Sequence, residues 1–245
     1  MVVALAELAM QTAPWFAFFG TMQILARFTA PSKLDGPTRA YWASSIVSTI
    51  HGVYVAPLAW RAMSSGGYWS SDDVTLATDD AVHCCAIYLG YLIADFVPLL
   101  VYVNAWKGST PYLWHHGLSL ISWCMMATRG HLLAVAVGLL LLEATAPFTN
   151  GRWFLSTIGI SSGLLYTING LCMAISFFVL RVCFMGWLFV RYVVVLRAGF
   201  FALPPTTWLT VLACYAFGYP LQLFWFRKIA IGIVKVLSGG KKKSK

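Results

Sequence analysis

Apolar runs of about 20 residues recur along this chain, and that length lets a helix cross the hydrocarbon core of a bilayer. Hydrophobic residues fill 60% of the 245 positions, charged residues fill 10%, and the mean hydropathy is +0.75. A water-soluble globule does not show that balance. The expected fold class is therefore all-α and polytopic, with little chain left for a soluble domain. Seven spanning segments emerge: Val2–Ala26, Ala40–Met63, Ala81–Trp106, Pro111–Thr128, His131–Pro147, Ser162–Leu196 and Thr207–Phe226. The first lacks a basic start and is too long for a cleaved signal, so it is expected to persist as a helix. The sixth, of about 35 residues, is read as one long tilted helix or as a span with an interfacial extension after Arg191.

The formal net charge is +9, but the basic residues sit at the ends of the apolar segments and in the tail Lys241–Lys245. Membrane orientation explains them better than nucleic-acid binding. Arg27, Lys33 and Arg39 mark the first loop as cytosolic, and an odd number of spans brings Arg152 and the carboxyl terminus to the same side. The acidic, turn-rich stretch 64–80 then lies opposite. Arg191 and Arg197 fall on that opposite side as misfits, expected to snorkel from an interfacial helix. Lys242 and Lys243 stand fourth and third from the carboxyl end, the pattern of a cytosolic dilysine signal read by coat proteins. Residence in the endoplasmic reticulum membrane is the corresponding expectation.

Ionisable groups at membrane depth are expensive, so those within the spans are the candidate functional residues. His115 and His116 are adjacent in an apolar stretch. On a helix they point about 100° apart, so one can face a cavity while the other packs or orients its partner. His115, Ser119 and Ser122 share a face. Similar polar stripes run through Ser44, Ser48 and His51, through Tyr88, Tyr91, Asp95 and Tyr102, through Ser162, Tyr166, Asn169 and Ser176, and through Tyr215, Tyr219 and Gln222. Hydrogen bonding between helices is the plain reading of each hydroxyl alone.

Asp95 and Glu143 are carboxylates inside spans, and Arg181 needs a counter-charge that either can supply. Pro147 is expected to kink or end its helix just before Asn150 and Arg152. A histidine near Asp95 is suited to serve as general base or nucleophile. No metal site is expected, because adjacent histidines diverge and the six cysteines lack ligand spacing.

These residues resemble the TLC-domain family, which includes the ceramide synthases. The likeness rests on His115-His116, on Gly90-Tyr-Leu-Ile-Ala-Asp95, and on Leu142-Glu-Ala-Thr-Ala-Pro-Phe-Thr-Asn-Gly-Arg-Trp-Phe154, the last similar to the Glu-x-x-x-Pro-Phe-x-Asn-x-Arg-Trp pattern of the TLC-domain-containing subgroup. The resemblance implies a six-helix core over residues 37–235 enclosing a lipid tunnel, preceded by one extra helix and its loop in 1–36 and followed by a basic tail in 236–245. It implies catalytic roles for His115, His116 and Asp95. Together with the polar stripes and the intramembrane charges, this makes Tyr91, Ser119, Ser122, Glu143, Asn150, Arg152, Asn169 and Arg181 the expected substrate contacts. The aspartate-rich continuation of the ceramide synthase motif is missing here: Gly117-Leu-Ser-Leu follows the pair, and Leu132 follows His131. Lipid or acyl-chain binding with a part in lipid homeostasis is thus the leading expectation, without a bound cofactor. Acyl transfer from acyl-coenzyme A through the histidine pair comes second, and an accessory role in cargo handling or translocation third.

Overall fold

The computed structural model describes residues 3–237; Lys242 and Lys243 lie outside them. Eight helices follow in order: α1 Leu5–Ala26, α2 Gly36–Ser65, α3 Asp79–Val101, α4 Ser109–Arg129, α5 Leu133–Thr157, α6 Leu164–Val195, the short α7 Arg197–Ala202, and α8 Pro205–Leu237. The chain is an all-helical, multi-pass membrane protein. By length and apolarity α3, α5, α6 and α8 are sufficient to cross a bilayer. The remaining long helices α1, α2 and α4 have 22, 30 and 21 residues, and their interior-facing polar residues dilute their hydropathy.

Local chemistry sets the boundaries. Asp35 caps α2 by accepting from the Thr38 N–H, with Pro37 in the first turn, where its missing donor costs nothing. Thr78 caps α3, and Asp79 and Asp80 complement the positive end of its dipole. Two left-handed glycines, Gly108 (φ 76°) and Gly130 (φ 66°), bracket α4.

Helix α5 differs from expectation. It does not end at Pro147 but runs on to Thr157, its α-geometry interrupted just before the proline. A 3-10 stretch over Leu141–Thr145 tightens the turn ahead of the proline, so Pro147 falls in the first turn of the renewed α-helix, where its missing N–H is harmless. Asn150 and Arg152 therefore stand on a helix. The long sixth segment is a single helix, widened to π geometry over Phe177–Phe184 and Val190–Val195.

One end of the bundle carries the acidic loop 64–80 between α2 and α3. Tyr68 is buried with its hydroxyl on Thr78, the Val74 carbonyl accepts from the Leu132 N–H at 2.7 Å, and Val74 packs on Gly199. Arg191 was expected to snorkel; instead its guanidinium bonds Asp72 at 3.0 Å and the Ser71 carbonyl at 2.9 Å. The loop is thereby strapped across that end.

Small residues let the first helix approach closely, as is usual between spans. Gly90 of α3 lies directly against the Trp15–Phe16 backbone of α1, and a Cβ there collides with it. Gly90→Ala is expected to lower the stability of the detergent-purified protein by about 1–3 kcal/mol through overpacking. An unchanged thermal midpoint would show that the two helices separate freely.

Candidate functional site

A cavity of about 370 Å³ lies inside the bundle, walled by α2, α3, α4, α5, α6 and α8. A smaller hollow of about 60 Å³ continues from it, sharing Tyr88, His115, Glu143 and Arg181, and adding Ser119, Cys214 and Gln222. Their polar side chains come from the stripes that the helical period places on single faces.

Two knots of charge flank the main cavity. In the first, Asp95 of α3 is the hub. Its Oδ1 accepts from the Ser44 hydroxyl at 2.5 Å and from the Gln23 amide at 3.1 Å, and its Oδ2 lies 3.0 Å from His116 Nε2. The other ring nitrogen of His116, Nδ1, lies 3.0 Å from the Tyr112 carbonyl oxygen, which can only accept, so Nδ1 donates to it. Both nitrogens of His116 are occupied. The ring is further held parallel to Phe96, with centroids 5.9 Å apart.

The second knot is built on Glu143 of α5. Arg181 of α6 approaches its Oε1 at 3.6 Å, and His51 of α2 approaches its Oε2 at 3.7 Å. Arg181 also donates to the Thr145 hydroxyl at 2.7 Å and to the Leu142 carbonyl at 3.3 Å, both on the 3-10 stretch, and to Gln222 of α8 at 3.4 Å. His51 is wholly buried, stacked on Tyr91 at 4.0 Å, and neither of its ring nitrogens makes a hydrogen bond. The partner expected for Arg181 was Asp95 or Glu143; it is Glu143, because His116 already meets Asp95.

His115 differs from its neighbour. It lines both hollows, meets the His116 ring edge-on at 5.7 Å, and has no hydrogen-bond or ion-pair partner among the described residues. It is therefore the imidazole of the pair whose nitrogens remain available to a bound molecule.

Of the residues singled out in the sequence, His115, His116, Asp95, Tyr91, Glu143, Asn150 and Arg181 line the main cavity, and Ser119 lines the smaller one. Asn150 also binds α5 to α2, donating to the Ser45 carbonyl and the Thr49 hydroxyl at 3.0 Å. Three others lie away from both hollows. Ser122 pairs with Cys214 at 2.8 Å and the Leu118 carbonyl at 2.7 Å. Arg152 stacks 3.6 Å over Tyr166 and donates to its carbonyl, and Asn169 donates to the Phe148 carbonyl, so these two fasten α5 to α6.

Gln23 was not anticipated, because Gln11, Thr12, Thr21 and Gln23 form no polar stripe at helical spacing along α1. Gln23→Leu removes a hydrogen bond to a carboxylate, and the expected loss is about 1.5 kcal/mol. A thermal midpoint matching that of the unaltered protein would show that Ser44 and His116 suffice for Asp95.

The TLC domain model matches residues 41–231. The chain is 28% identical to human TLC domain-containing protein 4 over 216 residues, covering 84% of this chain and 79% of the relative. Its identity to the Xenopus tropicalis protein of that name is 31% over 209 residues, covering 80% and 76% respectively. With TLC domain-containing protein 1 of Gallus gallus it is 25% over 229 residues, covering 89% and 88%. No solved structure matches it. The site-bearing helices α2 to α8 fall almost wholly within the matched residues, and the chain belongs to the TLC-domain family.

Proposed function

We propose that the protein binds a membrane amphiphile, with its polar part in the cavity, and contributes to the lipid homeostasis of the endoplasmic reticulum membrane. The observation that carries this reading is the state of the charges. Asp95 and Glu143 are each paired within the cavity wall, while His115 faces the hollow unpaired. An internal space at membrane depth with satisfied walls and one free imidazole suits a ligand that brings its own polar group. Purely structural polar glue leaves no such hollow. Outside the bundle, α2, α5 and α6 form an apolar groove of about 680 Å³ past Trp60, Phe148 and Leu180, a surface fitted to hydrocarbon tails.

Topology supports a cytosolic carboxyl terminus. Arg27, Lys33, Arg39, Lys107 and Lys228 gather at the bundle end toward which α8 runs, and the acidic loop 64–80 lies at the other. Retrieval by coat proteins through Lys242 and Lys243 fits this orientation. Native mass spectrometry of the purified protein tests the binding reading. A retained lipid that diminishes in His115→Ala is the expected result, and a lipid-free wild-type protein would refute it.

A second reading, acyl transfer, draws on the same free imidazole. His115 then takes a proton from an acceptor hydroxyl or amine, or attacks an acyl-coenzyme A carbonyl itself. Incubation with acyl-coenzyme A followed by intact-mass measurement decides it. A covalent acyl adduct or an acylated product, absent in His115→Ala, is the positive result.

A further inference from the structure

The lining of the cavity reaches the surface at exposed residues of the α3–α4 loop and of α8, and this end is taken as its mouth. Two lysines from separate elements line this mouth: Lys107 from the α3–α4 loop and Lys228 from α8. Two tryptophans stand beside them. Trp106 donates to the Pro37 carbonyl at 3.0 Å, which pins the loop to the start of α2, and Trp225 stacks on Tyr112 of α4 at 5.6 Å. The positive end of the α4 dipole is at the same place, since Ser109, its first residue, also lines the opening.

Neither lysine has a carboxylate partner among the described residues. The sequence holds only eight acidic residues. Four lie in or just after the strap at the far end, Asp95 and Glu143 are committed within the cavity wall, Asp35 caps α2, and Glu7 stands in the first turn of α1. Lys228 rests its ammonium 4.2 Å over the Phe224 ring of its own helix. Two uncompensated ammonium groups at the opening of an internally paired cavity call for an anion, and lysine is a common phosphate binder. Tryptophans at this level match the boundary between headgroup and chain in a bilayer.

We propose that the mouth recognises the phosphate of a phosphate-headed lipid, with Lys107 and Lys228 pairing its oxygens and Trp106 and Trp225 flanking the first carbons of its tails. This rests on the amphiphile-binding reading and names the class of amphiphile. The probes are phosphatidate, diacylglycerol with the same chains, and inorganic phosphate, each incubated with the full-length protein in detergent and followed by native mass spectrometry.

Wild-type protein is expected to retain phosphatidate in preference to diacylglycerol. Lys107→Gln together with Lys228→Gln should weaken phosphatidate retention by roughly thirtyfold, with diacylglycerol retention and the melting temperature unchanged. Equal retention of phosphatidate by wild type and double variant would overturn the inference. So would equal retention of the two lipids by wild type, and in both cases amphiphile binding would stand. A wild-type protein that holds neither lipid removes both. If inorganic phosphate displaces phosphatidate and binds alone with similar strength, the phosphoryl chemistry is right but its source is a soluble ion, and the lipid assignment falls.

Discussion

Replacing His116 with alanine is expected to destabilise the protein by about 3 kcal/mol, whereas the same change at His115 should leave the fold intact and remove ligand retention. The asymmetry follows from the partners. His116 bridges the Tyr112 carbonyl and the Asp95 carboxylate, and its loss leaves a buried carboxylate supported only by Ser44 and Gln23. Removing one member of a buried charged pair is costly because the survivor remains desolvated. A second change, Asp95→Asn, should restore much of the lost stability. His115 has no internal partner to strand. Thermal unfolding in detergent, measured beside lipid retention, separates the two residues. Equal destabilisation by both single changes would refute this division of labour.

Arg181→Met should be the most damaging single change at the other knot, also by about 3 kcal/mol, since it leaves Glu143 facing only an otherwise unbonded His51. It also removes the bonds to Thr145 and Leu142 that brace the 3-10 stretch of α5. Glu143→Gln in the same protein should recover part of the loss, because the stranded charge goes with it. If single and double variants melt with the parent, the ion pair is dispensable and water in the cavity solvates Glu143 adequately.

The order of the long helices was legible in the sequence, because each is a long apolar run bounded by polar turns; four of the seven segments read as spans are long and apolar enough to cross a bilayer. The meeting of His115, His116, Asp95 and Glu143 at one hollow was also anticipated from their cost in lipid. What the chain alone left open was the rotation of each helix about its axis. A period of 3.6 residues says which side chains share a face but not which neighbour that face meets. Arg181 was thus free to choose between two carboxylates, and the two histidines were interchangeable. Pro147 does interrupt the α-geometry just ahead of it, but the helix runs on past it, because a tightened turn upstream accommodates the proline and nothing local to Glu143-Ala-Thr-Ala-Pro147 announces that turn. Gln23 escaped because the scattered polar residues of α1 give no periodic signal, even though it completes the Asp95 cluster.

The strap formed by residues 64–80 contributes no side chain to either hollow, while its buried Tyr68 and Val74 pack across the far end of the bundle. The strap and the chamber are therefore separate parts of the bundle, so substitutions in the strap should change stability and leave the chamber's lining untouched.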